Sequence, residues 1–353
     1  MKCRKGRKAR CSIALLMLVL CVAVAGCGGS SGNSSNGGDP SADLSAEETE
    51  PITWDVVCSW VQGNFNYTRL ELFAEMIEDA TNGALIIHIV GGPEIVAEAE
   101  QAEACANGVV DAVYTSVGYA SGYLPIGEVV TASDMKNSEM AASGGLDFLR
   151  EEYAKEKLFF YAAVNEVDYT RFHIYTNEEI TTYDGLKALK IRASQGVWTS
   201  LANSIGMVPS PIVFTELYSA LEQGLVKGYL APAFSGVKEG FFEYTKHMIF
   251  PGLGRPGTVM LFNLASWEAL PESVQQDVLG AMDDIVTQWD EQVDINAMNT
   301  NIEALEAAGG TVVEFSEEDA KRLTDTYGSI AWETLAKNCP NYDIDELKTL
   351  FMK

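Results

Sequence analysis

The sequence predicts an α/β protein of two domains with one long helix running along both, and three observations carry that reading. Strand-like and helix-like segments alternate with short connections from residue 52 onward, a pattern that builds sheets covered by helices. About 300 residues follow a polar N-terminal stretch, a length that suits two domains. Residues 271–308 hold one glycine and, after Pro271, no proline before Gly309-Gly310. As one helix they would extend about 55 Å, further than a small domain.

Two segments precede the first domain. Residues 1–10 carry six cations and no acids, and the apolar run 13–25 leads into Val24-Ala25-Gly26-Cys27. A basic start, a short apolar core and small residues before a cut site are the layout of a secretory signal over 1–26. The core is shorter than the roughly 20 apolar residues of a spanning helix. Val-Ala-Gly-Cys resembles the bacterial lipobox, which implies that Cys27 is lipidated and becomes the first mature residue. Residues 27–50 have almost nothing apolar to bury and read as a flexible acidic tether.

The next elements follow in order. Residues 52–60 (ITWDVVCSW) are β-branched and apolar, as a buried strand is. Asn66 is placed to cap a helix whose apolar residues Leu70, Phe73, Ala74, Ile77 and Ala80 recur at helical spacing, and Gly83 ends it. Strand 84–90, a helix over 94–107 and strand 109–116 complete a β-α-β-α-β unit with a parallel sheet. Ligands of such sheets bind at the carboxyl ends of strands, which singles out loops 59–66, 91–94 and 114–119. A second set begins at residue 158. It has strands 158–164, 170–176, 188–194 and 225–232, helices 195–205 and 215–223, and a later strand 258–265.

Charge and thiol content exclude several functions. The chain has 24 basic and 50 acidic residues; without the six cations of the leader, 18 basic residues remain against 50, a net charge of −32. That field repels nucleic acid and anionic headgroups. Cys58, Cys105 and Cys339 follow the leader at scattered spacing, which is no disulfide framework and leaves one pair or three free thiols open. His88, His173 and His247 stand alone, without HExxH or CxxC, so neither metal nor cofactor is expected. A Gly-x-Ser-x-Gly elbow and a phosphate-cradling glycine turn are also missing. Pairs such as Glu151-Glu152 and Asp283-Asp284 read as solvated charge on helix faces.

Residues 183–232 carry a more specific signal. Gly185-Leu186-Lys187, Lys190-Ile191-Arg192, Pro209, Glu216-Leu217-Tyr218-Ser219-Ala220-Leu221 and Gly224-Leu225-Val226-Lys227-Gly228 stand in that order. Thr81-Asn82-Gly83 and Asn107-Gly108-Val109-Val110-Asp111 lie upstream, Trp267-Glu268-Ala269-Leu270-Pro271 downstream. The ordered series, over about residues 52–335, resembles the extracytoplasmic solute-binding proteins of TRAP transporters, the tripartite ATP-independent dicarboxylate-binding family.

The resemblance implies a two-lobed periplasmic-binding-protein clamshell, with 51–169 plus 257–298 as the first lobe and 170–256 plus 299–353 as the second. It implies a monomeric, lipid-anchored binding protein outside the cytoplasmic membrane. Its partners would be a small organic acid and the small and large membrane subunits of a transporter. Arg192 matches the arginine that grips the ligand carboxylate; a planar fork of N–H donors suits two carboxylate oxygens and keeps its charge when buried. Arg171 matches a second family arginine, and Phe214 an aromatic residue over the ligand body. Trp60, Tyr114, Trp198 and Tyr229 join them as expected ligand neighbours from their places near strand ends. The run Lys227-Gly228-Tyr229-Leu230-Ala231-Pro232 departs from the family's polar pattern, which points to a monocarboxylate with an apolar or aromatic body. The alternatives are a sensory module for a membrane receptor kinase and an exported hydrolase.

Overall fold

The computed structural model describes residues 50–133, 135–164, 171–194, 196–237, 239–289 and 295–352. The signal segment, Cys27 and nearly all of the tether lie outside them. No helix among the described residues is long and apolar enough to cross a membrane.

Among the described residues, eleven strands form two sheets. In chain order they are β1 (Ile52–Cys58), β2 (Leu85–Gly91), β3 (Ala112–Ser116), β4 (Leu158–Val164), β5 (Phe172–Thr176), β6 (Lys190–Arg192), β7 (Val208–Ser210), β8 (Gly228–Pro232), β9 (His247–Leu253), β10 (Thr258–Asn263) and β11 (Thr311–Glu314). The first sheet has the order β2-β1-β3-β10-β4 and the second β11-β9-β5-β8-β6-β7. β1 pairs in parallel with β2 and β3, as the β-α-β-α-β pattern requires, but β10 enters antiparallel between β3 and β4. The sheet is therefore mixed. β9 and β11 escape the sequence pattern because β9 contains Pro251-Gly252, which breaks a strand signal, and β11 is only four residues long.

Each sheet is covered by apolar side chains on both faces. Val57, Val113, Leu149 and Phe160 pack on one side of the first sheet, and Val56, Phe73, Tyr114 and Phe262 on the other. Ile174, Ile191, Leu201 and Leu230 form one core of the second sheet, and Tyr175, Tyr229, Phe241 and Met248 another. The result is a two-lobed α/β fold. β4 and β10 are neighbours in the first sheet and β5 and β9 in the second, so the crossings between lobes start and end side by side.

Three local expectations are corrected. The helix Phe65–Ala80 is capped by Asn64, whose side chain accepts from the Asn66 amide at 2.9 Å; Asn66 lies inside the helix and accepts from Arg69. The helix expected over 94–107 is a short 3-10 turn, Glu98–Glu100, and one α-helical piece, Gln101–Ala106. The long helix is divided into Glu272–Gly280 and Met282–Trp289, with a turn at Ala281. Gly280 weakens it there, since glycine costs about 1 kcal/mol relative to alanine in a helix. Residues 290–294 lie outside the described residues. The segment does pass from the first-lobe core, through Val278, Ile285 and Trp289, to the second, where Ile295–Ala307 inserts Leu305.

A second bridge was not foreseen. Helix Glu317–Asn338 buries Leu323, Tyr327 and Ala331 in the second lobe, then Trp332 and Leu335 in the first. Helix Ile344–Phe351, expected with the second lobe, instead packs Leu347 and Phe351 into the first, and Ser143 donates to the Leu350 carbonyl at 2.6 Å. Its amphipathic pattern fixes one buried face but not which lobe receives it.

Candidate ligand-binding site

The carboxyl ends of strands from both sheets meet at a cavity of about 80 Å³. From the first lobe come Trp60 beyond β1, Asn64 and Asn66 at the following helix start, Ser116 at the end of β3, Tyr119 beyond it, and Glu128. From the second come Arg192 and Ser194 at β6, Phe214, Phe172, Trp198, Ala231 and Pro232 at the end of β8, and Phe234 and Ser235 beyond it. The lobes touch across the opening: the rings of Phe65 and Phe234 lie 3.7 Å apart, and Asn64 donates to Glu239 at 3.4 Å.

Arg192 ends a short strand held on both sides, by Ser210 of β7 and Tyr229 of β8. Its side chain is buried. Nε donates to the Ile212 carbonyl at 2.9 Å, Nη1 to the Leu230 carbonyl at 3.2 Å, and Cζ lies 5.6 Å from the centre of the Phe214 ring. Among the described residues Nη2 finds no hydrogen-bond partner and no carboxylate is within ion-pair distance. Burial pushes its pKa below the ordinary arginine value, with neighbouring Tyr119 acting the other way, yet a guanidinium stays charged in proteins. A buried cation positioned by neutral carbonyls, with donors to spare, can receive an anion.

Of the residues expected at the site, the cavity gathers Arg192, Phe214, Trp60 and Trp198. Tyr114 and Tyr229 stand behind its wall. Tyr114 packs between Trp60 and Trp289, and Tyr229 stacks on Tyr175 at 4.6 Å. Both are two residues too deep: strand side chains alternate faces, so Ser116 and Ala231, on the same faces further along, reach the cavity instead. Arg171 is placed elsewhere. It borders a separate groove with Gly252, Tyr327 and Lys348, while its neighbour Phe172 faces the cavity.

Tyr119, Asn64, Asn66 and Ser116 fall in loops that the strand-end rule had marked, but no pattern singled them out. Phe172 and Phe234 gave no distinguishing signal. Glu128 gave a faint one, as a lone acid between the apolar residues Ile126, Val129 and Val130. Its carboxyl is buried, and burial pushes it up to about 7, against the weaker opposing pull of the Thr131 hydroxyl.

The other titratable groups suit structure. His173 is buried with Nδ1 2.9 Å from the Ile249 carbonyl, and burial lowers its pKa to about 4. Cys58, Cys105 and Cys339 are free and buried, and burial pushes the Cys58 thiol up to about 12. No group of three or more His, Cys, Asp or Glu side chains among the described residues is arranged to hold a metal ion.

Two lobes closing strand ends over a buried cation define a solute-binding protein. The chain belongs to the bacterial extracellular solute-binding proteins, family 7, whose family model matches residues 57–338. It is thus an extracytoplasmic binding protein of the TRAP class and not an enzyme. A solute-binding protein of Verminephrobacter eiseniae is 23% identical over 233 residues, 65% of this chain and 70% of its own length. The ectoine-binding periplasmic protein TeaA of Halomonas elongata is 22% identical over 239 residues, 65% of this chain and 69% of its own. The C4-dicarboxylate-binding protein DctP of Rhodobacter capsulatus is 28% identical over 158 residues, 44% of this chain and 45% of its own. Among solved structures, the Bordetella pertussis receptor DctP7, which binds pyroglutamic acid, superposes with a TM-score of 0.70 at 19% identity, covering 85% of this chain and 99% of that one. A TRAP periplasmic protein of Desulfovibrio salexigens with bound orotic acid gives 0.73 at 17% identity, covering 85% and 97%.

Proposed function

We propose that this protein captures a small monocarboxylate with an apolar or aromatic body and delivers it, lobes closed, to the membrane subunits of a TRAP transporter. The observation that carries the reading is Arg192: buried, facing the cavity and without an acid of its own among the described residues. Four of the ligands named for similar proteins, ectoine, C4-dicarboxylates, pyroglutamate and orotate, bear a carboxylate, while sn-glycerol 3-phosphate is an anion without one. Phe214, Trp60, Phe172 and Trp198 would clasp the body, and Ala231, which lines the wall, offers no side-chain donor. A thermal-shift screen of small organic acids tests this, because a ligand that binds only the native state raises the melting temperature by mass action. A solute without a carboxylate as the sole hit would overturn it.

The same reading places the protein on a lipid anchor at Cys27. Expressed with its leader, wild type should sediment with membranes and Cys27→Ser should not; equal partitioning of the two would remove the anchor.

A further inference from the structure

The first-lobe wall of the cavity holds a group that the carboxylate reading does not use. Glu128 lines the cavity from the first lobe and Arg192 from the second, yet they form no ion pair, and no cation of the described residues pairs with Glu128. Its Oε1 is fully buried and makes no hydrogen bond. The carboxyl is pressed against the backbone that follows β6: a Cβ on Gly196 would stand 2.6 Å from Oε1. Neighbouring hydroxyls of the described residues do not pair with Oε1. Thr131 donates to the main-chain carbonyl of Glu128 at 2.7 Å, and the buried Tyr153 hydroxyl makes no hydrogen bond at all.

A buried acid with an unpaired carboxyl oxygen works against folding, and its surroundings do not ask for one. Ile126, Val129 and Val130 around it in sequence are buried apolar residues, so leucine would serve packing and glutamine would serve polarity. What a carboxyl adds in that place is an acceptor on the cavity wall.

We infer that Glu128 reads the end of the solute opposite its carboxylate, by accepting a hydrogen bond from an N–H or O–H donor there. The inference rests on the carboxylate reading and narrows it. The solute is a small carboxylic acid that carries a hydrogen-bond donor on its far side, held between a cation from one lobe and an acceptor from the other. Because the two groups belong to different lobes, a solute must present both ends to be enclosed. Burial keeps the carboxyl partly protonated near neutral pH, so a neutral donor satisfies it as well as a cationic one.

Matched probes test this by calorimetry at pH 6. Pyroglutamate is set against its ring-oxygen isostere, 5-oxotetrahydrofuran-2-carboxylate, and pyrrole-2-carboxylate against furan-2-carboxylate; each pair differs by N–H against O. Wild type should bind the N–H member of at least one pair ten times more tightly. Glu128→Leu should abolish that ratio while remaining folded, and Glu128→Gln, which keeps an acceptor oxygen, should restore most of it. No discrimination by wild type, binding of neither pair, or discrimination that survives in Glu128→Leu would overturn the inference. Arg192→Ala separates the two readings. If it binds as wild type does, the carboxylate reading fails; if it loses binding while Glu128→Leu still discriminates, only the role of Glu128 fails.

Discussion

Arg171 and Arg192 sit at the edges of β5 and β6, two strands of the same sheet separated by β8. Family resemblance made both candidates for the ligand carboxylate. They end on different surfaces, because Arg171 lies one residue before Phe172 and successive strand residues face opposite sides. Phe172 takes the cavity side and Arg171 the groove beside Tyr327. Arg192 instead reaches the cavity from a strand end, where neutral carbonyls aim it without cancelling its charge. Being an arginine near the crossing between lobes is thus not enough; the parity of the position along the strand decides.

The largest expected effect breaks this pair apart. Arg192→Ala should weaken binding of a carboxylate ligand by about 2 to 5 kcal/mol, roughly thirtyfold to several-thousandfold, whereas Arg171→Ala should change it by less than about threefold. Equal losses in the two variants, read by calorimetry, would return Arg171 to the site.

The next contrast sets the cation against the acid across the cleft. Glu128 has a folded pKa raised from 4.5 to about 7. Its contribution to stability is therefore fully present below pH 4.5 and is lost as pH rises through 7, by at most about 3 kcal/mol. Glu128→Gln should melt higher than wild type at pH 8 and level with it at pH 4.5. A difference of the same size at both pH values would show that the carboxyl is not the cause.

Phe214→Ala should cost less, about 1 kcal/mol or fivefold in affinity, by removing the ring beside the guanidinium. An unchanged dissociation constant would confine Phe214 to packing. The smallest effect concerns rate. A net charge near −32 repels an anion at long range, and salt screens that field beyond about 8 Å while leaving contacts at Arg192 intact. Stopped-flow association should accelerate a few-fold between low and physiological salt; a steep fall would mean that local positive potential dominates.

Much of the architecture was legible because it is encoded locally. The strands 52–58, 85–91 and 112–116 announced themselves as apolar β-branched runs, and Gly206 and Gly83 stand near the ends of helices, where positive φ favours glycine. Arg192 could be named because the ordered motifs resemble a family whose arginine at this position grips the ligand carboxylate, and the Lys190-Ile191-Arg192 strand places it at a carboxyl end. Tyr114 and Tyr229 were named on the same logic and lie a step too deep, since the sequence gives a strand's face but not the depth at which the cavity begins. Glu128 gave only the faint signal of a lone acid in an apolar run, because whether an acid is isolated depends on what the other lobe brings against it.

By itself the sequence determined the periodicities, the cap and stop residues, and the chemical type of the group at position 192, all of which depend on neighbours a few residues away. Tertiary structure alone decided that β10 returns antiparallel into the first sheet, that helix 344–351 docks on the first lobe, and that Glu128 and Arg192 share a cavity without pairing. Those outcomes depend on contacts between residues far apart in the chain, for which a one-dimensional pattern holds a face but no partner.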